Sequence, residues 1–168
     1  TKENNGAPSL RSKNSISENK KEILAITGSL GPNVAFSFDS STRQLDITGT
    51  GPMDSSIVYP SSLNKSHVER VIIGNGVTTI GSKAFLNFSN MIEIEVGNNI
   101  ESIGSYAFQR CQNLQHISLP DSVVQIGNYA FSYCYTLKNF TIPPKMTTAP
   151  NHLLWYGESI EKIIIPPS

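Results

Sequence analysis

Cysteine is nearly absent from this chain, with two residues, Cys111 and Cys134, in 168. Two cysteines make no disulfide framework, and without CxxC spacing they indicate neither a zinc site nor a dithiol redox centre. Long apolar runs are missing too: the longest aliphatic stretch, Ile23 to Ile26, has four residues, where a membrane-spanning helix needs about 20. Charge is scarce, at 15% against the usual figure of about 25%. It is also balanced, with 13 basic and 13 acidic residues. No field of one sign steers the whole molecule toward nucleic acid or an anionic membrane, so neither is an expected partner. At 168 residues there is room for one domain whose core needs no disulfide or metal staple. The chain opens on Thr1 rather than Met, as a processed or cut chain does, and a removed signal peptide would leave no trace.

Catalytic motifs are lacking as well. HExxH, GxSxG and GxxxxGK[ST] do not occur, so an enzyme is not the expected reading. Gly49-Thr50-Gly51 leads into Pro52 and a loop rather than a helix; its glycines read as turn residues, not as a phosphate cradle. His67, His116 and His152 fall at three different places in the pattern described below, and no metal or other cofactor is expected from them.

What is present is order of a simple kind. Residues 1–22 form a polar, Ser-, Asn- and Lys-rich leader expected to be loose. Residues 23–67 hold a β-hairpin, in which Val34, Phe36 and Phe38 alternate with small or polar residues and Leu45 and Ile47 do the same, followed by a connecting loop. From Val68 the chain cuts without gaps into four units of 23 residues and a partial fifth. Position one reads Val68, Met91, Leu114, Leu137, Ile160. Position four reads Val71, Ile94, Ile117, Phe140, Ile163, and position six reads Ile73, Val96, Leu119, Ile142, Ile165. Through three units Ile80, Ile103, Ile126 are followed by Gly81, Gly104, Gly127, and then by the pairs Ala84-Phe85, Ala107-Phe108 and Ala130-Phe131.

A fixed period of this length predicts a repeat solenoid. Positions four and six point inward from one short strand per unit, and so short a strand buries its face only by stacking on the next unit. The expected architecture is a parallel β-sheet on one side, short helical or irregular segments on the other, and the N-terminal hairpin as a cap. Gly at position fourteen is expected to let the chain bend, and phenylalanine to stack on phenylalanine. The fourth unit departs, with Ala149-Pro150 for Ile-Gly and Leu153-Leu154 for Ala-Phe, and is expected to bulge.

The units "IGSKAF", "IGSYAF" and "IGNYAF", the Cys that follows Phe in Phe108-Gln109-Arg110-Cys111 and Phe131-Ser132-Tyr133-Cys134, and strands ending in Pro-Asp-Ser-Val resemble BspA-like leucine-rich repeats. The hairpin "VAFSFDSSTRQLDITGTGPM" is similar to the small β-cap that often precedes them. The resemblance covers about Gly28 to Ser168. It implies a secreted or surface-anchored protein of a mucosal bacterium or parasitic protist, with a host matrix or cell-surface protein as ligand.

The alternation supplies the candidate binding residues. Positions three and five point outward, giving Arg70, Glu93, His116, Asn139 and Lys162 in one row and Ile72, Glu95, Ser118, Thr141 and Ile164 in the other. The strand at Ile160 to Ile165 is also expected to offer an unpaired edge through which two copies meet as a homodimer, making self-assembly the second reading. Cys111 and Cys134 share one column, which suits two buried thiols; a disulfide between neighbouring coils stays open, a reactive thiol less so. Three sequons, at Asn64, Asn87 and Asn139, are about what chance supplies from this Asn, Ser and Thr content.

Overall fold

A computed structural model describes residues 25–166, with residue 56 omitted. The polar leader lies outside the described residues. Three antiparallel strands open the fold, β1 (Ile26–Gly31), β2 (Val34–Asp39) and β3 (Gln44–Gly49). The expected hairpin is β2 and β3, paired Phe36↔Ile47 and Phe38↔Leu45. β1 was not anticipated. Its sequence ITGSLG has few apolar residues, and one of its glycines makes room for a ring: a Cβ on Gly28 would stand 2.6 Å from Phe36 Cε1.

Each repeat opens on a strand: β5 (Arg70–Ile73), β7 (Glu93–Glu95), β9 (His116–Ile117), β11 (Asn139–Thr141) and β12 (Lys162–Ile164). β3 runs parallel to β5 in register, Leu45↔Val71 and Ile47↔Ile73, so the cap continues the repeat sheet. The order is β1-β2-β3-β5-β7-β9, and β11 and β12 form a separate pair. The inward columns are buried through most of the stack, but Ile117 and Ile160 are only half-buried and Ile163 and Ile165, in the last strand, are exposed, having no described coil beyond them to pack on. Val68, Met91, Leu114 and Leu137 are closed to solvent, as are Ile80, Ala84, Phe85, Ala107, Phe108, Ala130 and Phe131. Phe85, Phe108 and Phe131 stack with centroids 5.3 and 4.9 Å apart and planes within 11°. Position six is buried at Ile73 and half-buried at Val96, Leu119 and Ile142.

The far side is made of turns, preceded by a ladder too short for sequence alternation to show. β4 (Gly51–Pro52), β6 (Val77–Ile80), β8 (Ser102–Ile103) and β10 (Gln125–Ile126) form a second parallel sheet, order β10-β8-β6-β4. The position-fourteen glycines follow it, and their role differs from the expected bend: the coils approach closely there. A Cβ on Gly104 would stand 2.4 Å from Ser82 N, and one on Gly127 2.4 Å from Ser105 N. Gly49 and Gly51 do serve a turn, with φ of 113° and 86°.

The connecting loop is also an end plate. Met53, Tyr59 and Leu63 bury themselves against the first coil, and Tyr59 meets Phe36 and Phe88 edge-on at 5.2 and 5.4 Å. The fourth unit keeps its strand and its turn. What it loses is a strand of the second sheet, and a cavity of about 250 Å³ lies there among Met146, Ala149, Pro150 and Leu153.

Candidate interaction surface

The outward residues of the repeat sheet come together in register. Arg70 stands opposite Glu93, and Glu93 opposite His116; Ile72 stands opposite Glu95. Asn139 faces Lys162 and Thr141 faces Ile164 across β11 and β12. Arg70 and Ile72 are half-buried, and Glu93, Glu95, His116, Ser118, Asn139, Thr141, Lys162 and Ile164 are exposed. Strand pairing is interrupted between β9 and β11 among the described residues, although the coils stay joined there by Lys138 N donating to Gln115 O at 3.4 Å; Arg70, Ile72, Glu93, Glu95 and His116 stand on one side of the interruption and Asn139, Thr141, Lys162 and Ile164 on the other. Ser118 lies between them, lining with Glu95 and Asn98 a hollow of about 350 Å³.

Its charges are largely spent on one another. The Arg70 guanidinium pairs with the Glu95 carboxylate and lies 3.9 Å from that of Glu93; this hydrogen bond and the two carboxylates hold its proton more tightly than usual. Arg43 pairs with Glu69 one strand earlier. The cap adds two residues that the 23-residue frame missed: Gln44 and Asp46 stand opposite Arg70 and Ile72, linked by a 2.8 Å hydrogen bond. They precede their partners by 26 residues, so only alternation within Gln44-Leu45-Asp46-Ile47 signals them.

Cys111 and Cys134 are free and fully buried. Each thiol lies within reach of a carbonyl of the preceding coil, Phe85 O at 3.2 Å and Phe108 O at 3.3 Å. Burial pushes the Cys134 thiol up to about 12 and that of Cys111 well above its usual value; neither is placed for nucleophilic work. Among the described residues, no three His, Cys, Asp or Glu side chains gather as a metal site, and no helix is long and apolar enough to cross a membrane. The asparagines act between coils: Asn75 Oδ1 accepts from Asn98 N, and Asn128 Oδ1 from Asn151 N, both at 2.9 Å. That use accounts for part of the Asn-rich composition without reference to compartment.

A second surface, which the sequence reading passed over, lies on the turn side. Lys83, Asn87, Tyr106, Arg110, Tyr129, Tyr133, His152 and Tyr156 are left-handed, with φ between 55° and 65°. They occupy positions sixteen and twenty of each unit. Turns with φ > 0 ordinarily call for Gly or Asn, so seven of these eight residues give no turn signal. Their side chains form outward columns. Lys83 lies over Tyr106 at 6.0 Å, Tyr106 stacks on Tyr129 at 5.2 Å, and Tyr129 stacks on His152 at 4.6 Å. In the other column Arg110 lies over Tyr133 at 5.6 Å and Tyr133 stacks on Tyr156 at 5.0 Å. Trp155 sits between the columns, 4.7 Å from His152 and 5.2 Å from Tyr156.

Comparison with known proteins agrees with this geometry. The pattern that defines the BspA type leucine rich repeat region matches residues 56–168, in six copies. No curated protein matches the chain. Among solved structures, a leucine-rich repeat protein from Eubacterium ventriosum aligns with a TM-score of 0.70 at 24% identity, over 83% of this chain and 40% of that one. A leucine rich cell surface protein from Faecalibacterium prausnitzii aligns with a TM-score of 0.56 at 23% identity, over 81% and 42%. The pneumococcal vaccine antigen PcpA aligns with a TM-score of 0.60 at 24% identity, over 79% and 30%. The chain therefore spans less than half the length of each of these three structures.

Proposed function

We propose, from the fact that this chain belongs to the BspA-type leucine-rich repeat family, that it is a non-enzymatic protein-binding module, displayed at a cell surface or secreted, which adheres to host matrix or to host cells. The observation that carries this reading is the register of the repeat sheet. It lines up Arg70, Glu93 and His116 across adjacent strands, with Ile72 and Glu95 beside them, and so presents mixed polar chemistry on a rigid support of the kind that fixes binding side chains well. The printed descriptions of two similar structures, a cell surface protein and a vaccine antigen, favour surface display. The absence of a convergent nucleophile and base in the repeat frame favours binding over catalysis.

The test is retention on immobilised extracellular-matrix protein and on intact epithelial cells. Glu93→Lys with Glu95→Lys turns the carboxylates beside Arg70 into cations and is expected to abolish retention. Because exposed pairs contribute about 0 to 1 kcal/mol, the melting temperature should fall by only a few degrees. Undiminished retention would remove the sheet face as the binding surface.

Self-assembly is the second reading. Of the eight large hydrophobic residues exposed among the described ones, five are Trp155, Tyr156, Ile163, Ile164 and Ile165. Three of them, Ile163, Ile164 and Ile165, lie on or next to β12, the strand whose edge that reading uses.

A further inference from the structure

Asn75 lies in the turn that follows β5, closed by Val77 N donating to Gly74 O at 3.2 Å. Its Oδ1 accepts from Asn98 N at 2.9 Å, and its carbonyl accepts from Asn99 Nδ2 at 2.8 Å. The first of these bonds, which ties the second coil to the first, calls for a short side chain with an acceptor at position eight.

The next residue is fixed by a different neighbour. A Cβ on Gly76 would stand 2.1 Å from Gly49 O in the cap, and Gly76 O accepts from Gly51 N at 2.9 Å. The cap comes so close that only glycine fits. Two independent packing demands thus place glycine directly after asparagine. In the following coils the same two positions read Asn98-Asn99, Asp121-Ser122 and Pro144-Lys145, so among the repeats the pair occurs in the first alone.

We propose that Asn75-Gly76 is a site of spontaneous deamidation, where water converts Asn75 to aspartate or isoaspartate and so ages the joint between the cap and the repeats. Attack by a main-chain nitrogen on the preceding side-chain amide is hindered by any side chain on the attacking residue, and Gly76 has none. Its N–H meets no acceptor among the described residues and Asn75 is exposed, so hydroxide can take the proton. The Gly76 nitrogen then bonds to Asn75 Cγ. Asn98 N–H donates to the oxygen that gains charge in this step, as donors do for the tetrahedral intermediate of acyl transfer. The Cγ–Nδ2 bond breaks, ammonia leaves with a proton from water, and a succinimide remains. Water opening the ring at Cγ gives aspartate, and at the main-chain carbon gives isoaspartate. One water enters and one ammonia leaves. Isoaspartate lengthens the main chain by one carbon, which draws Gly76 O away from Gly51 N. This inference is independent of the sheet-face reading.

The experiment is peptide mapping of the whole chain held in neutral and mildly alkaline buffer. Trypsin, used under mildly acidic conditions, releases residues 71–83, in which Asn75 is the one asparagine, and residues 3–11, which hold Asn5-Gly6, the other such pair of the sequence. The 71–83 peptide should give way to two products heavier by about one dalton, one of them a substrate for an isoaspartyl methyltransferase. The loss should quicken about tenfold per pH unit, as a step that needs a deprotonated amide does. The 84–110 peptide, which carries Asn98-Asn99, should keep its mass meanwhile. In reacted chains the Gly51 amide should exchange faster and the Phe108 amide as before. Asn75→Gln has to close a larger ring and should stay intact. Asn98→Pro places there the residue that coil four has at Pro144; it withdraws the N–H donor and should slow the loss about tenfold, the effect of one hydrogen bond to a developing charge. Three outcomes overturn the proposal: a 71–83 peptide still intact when Asn5 has reacted completely, equal loss from the 84–110 peptide, or an unchanged rate in Asn98→Pro.

Discussion

The first three coils and the fourth share a backbone path but not a core. In coils one to three, Ile-Gly and Ala-Phe recur, the phenylalanines stack, and the second sheet runs alongside. In the fourth, Ala149-Pro150 and Leu153-Leu154 replace them, both leucines are half-buried, and the second sheet has stopped. Yet His152 and Tyr156 keep φ of 55° and 57°, and the three carbonyls of that turn still accept from coil three. The turn is therefore set by the main-chain ladder and tolerates a change of side chains, whereas the second sheet needs the Ile-Gly pair. Close approach explains the difference: glycine lets successive coils touch backbone to backbone, and Pro150 both fills that space and withholds an N–H.

The contrast is sharpened most by the aromatic column. Phe108 lies between two parallel rings and is fully buried, so Phe108→Ala should cost about 3 to 5 kcal/mol in denaturant unfolding. Leu154→Ala, at the same position in the fourth coil, should cost about 1 to 2 kcal/mol, and Gln109→Ala under about 0.5 kcal/mol. Equal losses at Phe108 and Leu154 would mean that the fourth coil is as well packed as the third. A smaller effect belongs to the glycine column. Gly104→Ala forces a Cβ against Ser82 N and should cost about 1 to 3 kcal/mol, whereas Pro150→Ala should stay within about 0.5 kcal/mol; a tolerated alanine at 104 would break the close-approach argument. The smallest effect is on the outer columns. Tyr129 is stacked on both faces and His152 on Tyr129 alone among the stacked rings of its column. Tyr129→Gly should therefore lower stability by about 1 kcal/mol despite relieving a left-handed residue, while His152→Gly leaves the midpoint unchanged.

The sequence pattern made the inward columns legible because burial acts on every unit alike, so Val68 to Ile160 and Phe85 to Phe131 repeat at one spacing. The thiols of Cys111 and Cys134 were legible for the same reason. β1 was not, since Gly28 and Gly31 dilute its apolar content, and neither were β8 and β10, since two residues show no alternation. The left-handed positions were hidden because Lys, Tyr, Arg and His stand where turn chemistry favours Gly or Asn. The outward rows were legible as rows, but the break between β9 and β11 was not, as nothing in Ser118 to Leu137 departs from the apolar frame.

The main-chain ladder between the turns runs one way, from N–H groups of one coil to carbonyls of the next, and this bears on how such a chain varies over evolutionary time. Each turn satisfies with its carbonyls the donors that the coil before it presents, and presents an identical set of donors to the coil after it. A duplication or deletion of one whole coil thus leaves no buried main-chain group orphaned, provided that it removes or adds 23 residues at a stroke. An insertion of one or two residues within a coil has no such immunity, because it throws the donors of positions sixteen, eighteen and twenty out of step with the next set of carbonyls. Copy number can drift freely by recombination while the length of the single unit is held fixed.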